Sequence, residues 1–202
     1  MLALELHKLS PEFYVQPTLD VARLLLGKLL VSGESSGLIV ETEGYVGPDD
    51  PACHAYVGRT RRNQVMWGKP GHAYIFFTYG AHFMLNVVTE REDYPAAVLI
   101  RAVEPVLGLE IMRQRRNLHL LRSRPLDRNL TNGPGKLCKA LDIIAELNGI
   151  SLQSDRLFIA EPPPEIALPP FQIIETTRIG ITRGTELPWR YYVKGNRYVS
   201  RL

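Results

Sequence analysis

Alternating hydrophobic and polar residues, the pattern of half-buried β-strands, run through much of the chain. Turn-forming residues divide the pattern into two hairpins, one of them with Tyr79 in its turn, and a later pair of strands. The strands are predicted over residues 28–46, 73–88, 96–103, 171–182 and 189–200. We therefore expect an α+β fold: a single domain over residues 1–202, built on a curved antiparallel β-sheet that is flanked by helices, with a protruding β-hairpin.

Three segments show helical spacing instead. Thr18 is placed to cap a helix that ends near Gly27, and Pro105 suits the first position of a helix that continues to residue 116. Gly135 is expected to open a third helix, whose buried face includes Ile144. The proline-rich segment 161–170 cannot form a helix or a central strand, so we expect an exposed loop there.

Composition narrows the class of protein. No apolar stretch approaches the roughly 18 residues that a membrane span needs. The N-terminal segment lacks the apolar run and cleavage site of a secretory signal. The two cysteines, Cys53 and Cys138, are too few for a disulfide framework. These features predict a cytoplasmic protein without a membrane partner.

The basic residues are unevenly distributed, although the net charge is only +3. Lysines and arginines outnumber acids between Arg101 and Ala140. A second basic cluster contains Arg59, Arg61, Arg62 and Lys69. Both clusters could meet the phosphates of a nucleic acid, and the alternative is an ordinary solvated surface.

The segment ETEGYVGPDDPACH concentrates acids in this otherwise basic chain. Because side chains alternate along a strand, Glu41, Glu43 and Tyr45 are predicted to share one face. The following glycines and prolines form a loop that brings His54 back towards that face. The alternative is an acidic edge strand followed by a solvated turn.

Other candidate residues stand at strand ends and turns. Tyr79 is an aromatic ring available as a wedge between base pairs, unless it packs on its own hairpin. Asn86 and Arg101 are polar residues within apolar runs, and either could be a satisfied group at a sheet end. Lys136 follows a flexible segment at a predicted helix start, where a phosphate would be favoured.

Four segments, taken in order, resemble the alkyladenine (3-methyladenine) DNA glycosylase family. They are VETEGYVGPDDPACHA, KPGHAYIFFTYGAHFMLNV, VLIRAVEP and NGPGKLCKAL. The resemblance implies an enzyme that flips an alkylated purine out of duplex DNA and hydrolyses its N-glycosidic bond. By motif position Glu43 activates the water, whereas Glu41 has no catalytic role.

The resemblance also assigns the base pocket. The flipped base is expected to stack between Tyr45 and His54 on one side and Phe76 on the other. Phe76 stands where the family has a tyrosine, which keeps the ring but removes a hydroxyl group. Asn86 is expected to exclude the amino group of guanine, and Ile181 to offer backbone atoms to the base edge.

The remaining assignments concern DNA. Tyr79 is expected to be the wedge, with Met66 beside it in the minor groove. Arg101 matches an arginine near the scissile nucleotide, and Lys136 matches a phosphate contact. The implied partner is double-stranded DNA that contains alkylated or deaminated purines such as 3-methyladenine, 7-methylguanine and hypoxanthine. We expect a monomer that needs no cofactor or metal and lacks lyase activity.

Two other functions compete with this interpretation. A metal-dependent hydrolase could assemble ligands from the histidines and acids, although their spacing matches no zinc motif. The candidate ligands are His54, His72, His82, Glu41, Glu43, Asp49 and Asp50. A non-catalytic nucleic-acid-binding module would explain the arginines but not the ETEGY motif. A helix-hairpin-helix fold around GPGKLCKAL is disfavoured, since the residues before it do not resemble a partner helix.

Overall fold

The computed structural model describes residues 6–78, 80–118 and 127–201. Its central strand is β2 (Ser35–Tyr45), of which every residue except the last is buried. A neighbouring strand from later in the chain, β5 (Ala96–Leu107), pairs with β2 along one edge. The other edge of β2 is shared by β1 (Leu29–Ser32) and β8 (Arg190–Val193). The ETEGY motif therefore lies in the interior of the sheet, which rules out the alternative of an acidic edge strand.

In the parts of the chain that the structure describes, the other strands complete an open antiparallel sheet of eight strands. β3 (Ala73–Thr78) and β4 (His82–Thr89) form a hairpin, and β4 joins β5. On the far side β6 (Leu157–Ala160) pairs with β1, and β7 (Ile173–Thr176) pairs with β8. This architecture confirms the predicted α+β class.

The described residues contain four short α-helices: α1 (Pro11–Tyr14), α2 (Thr18–Leu24), α3 (Leu109–Arg115) and α4 (Pro134–Ala140). Helix α2 lies against β2, where the Thr42 hydroxyl donates to the Ala22 carbonyl oxygen at 2.7 Å. A Cβ at Gly44 would stand 2.6 Å from Leu19 Cδ2, so glycine permits this close approach. Since Thr42 and Gly44 face α2, the alternating residues Glu41, Glu43 and Tyr45 are left to face the other side.

The helix predicted to start at Pro105 exists, but its predicted start is wrong. Pro105 belongs to β5 and lies opposite Gly37, next to a shift in the strand register. Proline has no N–H to donate and is tolerated at such irregularities. Helix α3 begins four residues later, after Gly108, whose φ of 78° turns the chain out of the strand.

Two other helix predictions need correction. Thr18 is the first residue of α2 rather than its cap, and it bonds to Glu90 through its backbone N–H and its hydroxyl group. Helix α4 starts one residue earlier than expected and ends at Ala140, before Ile144. Ile144 is 37% exposed instead of sharing the buried face. The short helix leaves it beyond the packed surface.

The predicted loops and turns agree with the structure more closely than the predicted helices do. The first hairpin turns at residues 33–34, a shorter turn than the expected residues 33–37, and residues 161–170 form neither helix nor strand, as expected. Strand β6 and helix α1 were not predicted. Tyr79, which would form the tip of the β3–β4 hairpin, lies outside the described residues, as do residues 119–126. Within the described parts of the chain, no helix has the length and apolar character that crossing a membrane requires.

Candidate active site

The carboxylate of Glu43 is fully buried and held by three groups. Its Oε1 accepts the backbone N–H of Ile179 at 2.6 Å, and its Oε2 accepts the Tyr45 hydroxyl at 2.9 Å. Arg101 Nη1 lies 3.2 Å from Oε1. Because a carboxylate oxygen can accept two hydrogen bonds, Oε2 retains the capacity to bind one more donor. A water molecule is a donor of the right size.

Arg101 reaches both glutamates because it is the extra residue of a β-bulge. Glu41 lies opposite Ala102 and Thr42 lies opposite Ile100, so Arg101 has no partner of its own on β2. Its Nε donates to Glu41 Oε1 at 3.0 Å while Nη1 faces Glu43. Bulges redirect side chains and are common beside active sites. The guanidinium is thereby fixed between the two carboxylates.

Glu41 occupies a different environment from Glu43, although the two share a face. Besides Arg101, it accepts from Arg190 and from the backbone N–H and hydroxyl of Ser200. These contacts tie the C-terminal segment to the sheet. Three of these four donors converge on Oε1 of Glu41 and the Ser200 N–H binds Oε2, so Glu41 links β5, β8 and the C-terminal segment.

Burial shifts the ionisation of the groups around Glu43. Desolvation raises the pKa of Glu43, against the opposing effects of Arg101, the Ile179 N–H and the Tyr45 hydroxyl. Burial and the adjacent Glu43 carboxylate raise the pKa of Tyr45 well above its ordinary value. Tyr45 thus remains a hydrogen-bond donor to Glu43. A carboxylate with a raised pKa is better matched to accepting a proton near neutral pH.

A cleft with a volume of about 940 Å³ opens above this carboxylate. Glu43 does not line it directly, but its partners Tyr45, Arg101 and Ile179 do. The other predicted residues on its walls are His54, Met66, Phe76, Asn86 and Ile181. The fold therefore brings seven of the ten predicted site residues to a single cavity, with Glu43 beneath it.

His54 and Phe76 form an aromatic wall. Their ring centroids are 4.5 Å apart with an interplanar angle of 68°. His54 Nδ1 is hydrogen-bonded to the Tyr74 hydroxyl at 2.8 Å. Burial, and then the nearby Arg62, lower the pKa of His54. Both effects favour the neutral imidazole, which lines the cleft.

Asn86 and Arg62 set the polar character of the same wall. Asn86 Nδ2 donates to the Tyr74 carbonyl oxygen at 3.1 Å, which fixes the amide between β3 and β4. The guanidinium of Arg62 lies 5.3 Å from the Phe76 ring centroid, and Arg62 lines the cleft together with Arg183. Two exposed cations thus stand beside an aromatic pocket.

Of the three expected DNA contacts, one lines the cleft, one stands outside it and one lies outside the described residues. Met66 lines the cleft but is only 2% exposed and packs in a cluster with Tyr74, so the structure does not fit the expected minor-groove contact. Lys136 bonds to Asn132 Oδ1 at 2.9 Å and stands outside the cleft. Tyr79 lies outside the described residues.

The two basic clusters differ in how many of their arginines pair with other groups of the protein. Arg113 pairs with Asp127 and Glu110, and Arg115 bonds to Ser35 and to the Ala140 carbonyl oxygen. Within the described residues, no carboxylate pairs with the arginines of the other cluster. These are Arg59, Arg61 and Arg62, and all three are exposed.

Several residues of the site were missed from the sequence. The backbone N–H of Ile179 and the buried ion pair between Arg178 and Asp50 come from segments more than 120 residues apart. Tyr74 was assigned only to a strand, although its hydroxyl orients His54. The apolar residues around Tyr74 in the sequence do not indicate this hydrogen bond. It forms because the loop that carries His54 folds against β3.

The proposed metal ligands are dispersed. Asp50 is engaged by Arg178, Glu41 by arginines and Ser200, and His54 by Tyr74. In the portions of the chain that the structure describes, no three His, Cys, Asp or Glu side chains come close enough to share a metal ion. The competing metal-dependent hydrolase required these residues to be assembled, and the fold separates them.

A buried carboxylate thus lies beneath a cleft lined by aromatic rings and arginines. Comparison with known proteins gives the family. The methylpurine-DNA glycosylase (MPG) family matches residues 12–197. The chain belongs to this family, and it is a DNA glycosylase, a hydrolase of N-glycosyl bonds.

The chain is also similar over almost its whole length to proteins named "Putative 3-methyladenine DNA glycosylase". It is 48% identical to one from Chlorobaculum parvum, an alignment that covers 96% of this chain and 91% of that protein. It is 49% identical to one from Methanoculleus marisnigri, with 96% and 98% covered. A relative from Bacillus cytotoxicus is 44% identical, with 96% and 100% covered.

Proposed function

We propose that the cleft receives an alkylated purine flipped out of duplex DNA, and that Glu43 positions the water that hydrolyses its N-glycosidic bond. The observation that carries this proposal is the buried Glu43 carboxylate beneath the cleft, with one oxygen still able to accept a donor. The substrates are 3-methyladenine, which the relatives' names specify, and 7-methylguanine, with hypoxanthine as the neutral base to compare.

The chemistry of the bond supports a role for an anion at this place. Breaking an N-glycosidic bond builds positive charge on the sugar, and an ionised Glu43 would stabilise that charge in a site with little water. The same carboxylate would hold and deprotonate the attacking water, a contribution worth roughly two to four powers of ten. Arg101 keeps the Oε1 side occupied, so the water is directed to Oε2.

The walls of the cleft suit an electron-poor base. Tyr45, His54 and Phe76 offer aromatic surface, and stacking on an aromatic side chain is worth about 1–3 kcal/mol per base. The neutral His54 avoids repulsion of a cationic base such as 7-methylguanine. An alkylated base pair is also easier to open than an intact one, so selection begins before the base enters the cleft.

DNA would approach from the side of the exposed arginines. Arg62 and Arg183 at the mouth, with Arg59 and Arg61 nearby in the chain, provide cations for the phosphates of the flipped nucleotide and its neighbours. Such contacts release counterions, so affinity for DNA should fall as salt rises. Tyr79 on the hairpin remains our candidate for the side chain that fills the space left by the base.

The proposal is tested by the variant Glu43→Gln under single-turnover conditions on duplex DNA with one 7-methylguanine. We expect base release to fall by at least about 100-fold, because Gln is no base and carries no negative charge. Binding of the duplex should survive within a few-fold. The matched control is Glu175→Gln, the same change at an exposed residue of β7 that pairs with Arg23. Undiminished release by Glu43→Gln would remove Glu43 from the mechanism.

A further inference from the structure

Two loops that border the cleft are joined beneath it by one buried ion pair. We propose that Arg178, held by Asp50, is a positioning residue that fixes the Ile179 N–H and the Tyr45 ring against Glu43. This inference rests on the proposed function, since it concerns how the same carboxylate is kept in place. Neither residue touches the base or the sugar in that function.

The ion pair is bidentate and closed to solvent. Arg178 Nη1 donates to Asp50 Oδ2 at 2.5 Å and Nη2 donates to Oδ1 at 2.7 Å, and both side chains are 0% exposed. Parallel hydrogen bonds of this kind fix the guanidinium plane as well as its position. The pair therefore defines a rigid point between the two loops.

Asp50, the acidic member of the pair, accepts hydrogen bonds from the backbone of the loop that leads to His54. Asp50 Oδ2 accepts the Val46 N–H at 3.2 Å, and Oδ1 accepts the Ala52 N–H at 3.0 Å. One carboxylate thus closes the turn that begins directly after Tyr45 and ends just before Cys53. The position of His54 on the cleft wall depends on this turn.

On its basic side, the pair reaches Glu43 in two ways. Ile179 directly follows Arg178, and its N–H donates to Glu43 Oε1 at 2.6 Å. Arg178 Nη1 also donates to the Gly44 carbonyl oxygen at 3.0 Å, between Glu43 and Tyr45 on the strand. A displacement of the guanidinium would move both the donor and the strand that carries its acceptor.

The guanidinium is also packed between two rings. It lies 4.8 Å from the Tyr45 centroid and 4.9 Å from the Trp189 centroid. Tyr45 is the residue whose hydroxyl donates to Glu43 Oε2, so the stacked cation holds the second hydrogen bond of the carboxylate. Lysine cannot replace these contacts, because its ammonium is neither planar nor bidentate.

The test uses the full chain with Arg178→Lys, which keeps the charge but loses the planar contacts. We expect the single-turnover rate of 7-methylguanine release to fall about 10–100-fold, as expected for a misplacement of the order of 1 Å. The affinity for the duplex should change less than about threefold, since no phosphate contact is altered. Arg115→Lys is the control: Arg115 is half-buried with two hydrogen bonds and lies away from the cleft.

The pH profile separates positioning from mere loss of stability. The groups that face Glu43 are Arg101 on β5, Glu41 and Tyr45 on its own strand, and Arg178 on the loop. In Arg178→Lys the positive charge at residue 178 is kept. Loss of the hydrogen bond from the Ile179 N–H would remove a contact that favours the ionised form of Glu43, so the pKa of Glu43 would rise. The acidic limb of the rate profile should therefore move to higher pH in Arg178→Lys and stay in place in Arg115→Lys.

If Arg178→Lys does not fold, Asp50→Asn provides the second variant, and a similar fall in rate is expected. If both fold, the double variant should lose little more than either single one, because the two residues act as a unit. An unchanged rate and acidic limb in folded Arg178→Lys would overturn the inference. Activity retained by Glu43→Gln would instead overturn the proposed function, so the two failures can be told apart.

Discussion

Glu43 and Arg101 lie side by side on adjacent strands, with Glu43 Oε1 3.2 Å from Arg101 Nη1, and both are almost completely buried. The guanidinium of Arg101 also donates a hydrogen bond to Glu41. It lies between the two glutamates because Arg101 is the extra residue of a bulge in β5 and has no cross-strand partner. The buried cation offsets part of the cost of burying two carboxylates. The active site and the stability of the sheet therefore depend on the same residue.

The variant Arg101→Lys tests this shared role. Lysine keeps the charge but cannot contact both glutamates and Ser200, so we expect single-turnover base release to fall about 10–100-fold. The free energy of unfolding should fall by about 1–3 kcal/mol, measured by denaturant titration. Arg156→Lys, at the exposed pair with Asp142, is the control. A stability loss with an unchanged rate would make Arg101 purely structural.

The rate of base release should depend on the ionisation of Glu43. Because burial raises the pKa of this carboxyl, the active ionised form is lost as the pH falls through a value above the ordinary glutamate range. We expect the single-turnover rate to rise with pH along a limb of unit slope and then level off. An acidic limb that also persists in the residual activity of Glu43→Gln would assign it to another group.

The same shift predicts how stability changes with pH. The pKa of Glu43 is higher in the folded protein than in the unfolded chain, so its contribution to stability is complete below the unfolded value. That contribution is lost as the pH rises through the folded value. Glu43→Gln does not titrate, so the melting temperature of the wild type should fall relative to that of Glu43→Gln as the pH rises above the ordinary pKa of glutamate. A difference that shrinks with rising pH would contradict the raised pKa.

Phe76 is expected to contribute an aromatic face and no hydrogen bond. Phe76→Ala should reduce single-turnover release at sub-saturating enzyme by about 10–100-fold, since base stacking on a ring is worth about 1–3 kcal/mol. Phe76→Tyr, which keeps the ring, should stay within about threefold of the wild type. Equal losses in the two variants would show that the fit of this wall, rather than stacking, limits the reaction.

Much of the site was accessible from the sequence because strand alternation is a local property. The shared face of Glu43 and Tyr45 follows from their spacing, and the structure confirms it through their hydrogen bond. Alternation could not distinguish Glu41 from Glu43. The difference arises from Ser200 and Arg190, which approach Glu41 from the far end of the chain.

The features that could not be predicted depend on contacts between distant segments. The bulge at Arg101 comes from register shifts between two long strands, and no local pattern marks it. The burial of Met66 and the meeting of Arg178 with Asp50 are likewise decided by how loops pack on the sheet. At Pro105 a local preference was misleading. Proline is favoured at helix starts, but the pairing of β5 with β2 places this residue in a strand.

The proposed reaction is hydrolysis of the bond between an alkylated purine and its sugar in duplex DNA. The most direct measurement incubates the purified protein, in the presence of a chelator, with duplex DNA that carries a single 3-methyladenine. We predict release of the free base and an abasic site that breaks only after alkali treatment. Intact DNA after prolonged incubation, or strand breaks without alkali, would contradict the proposed function.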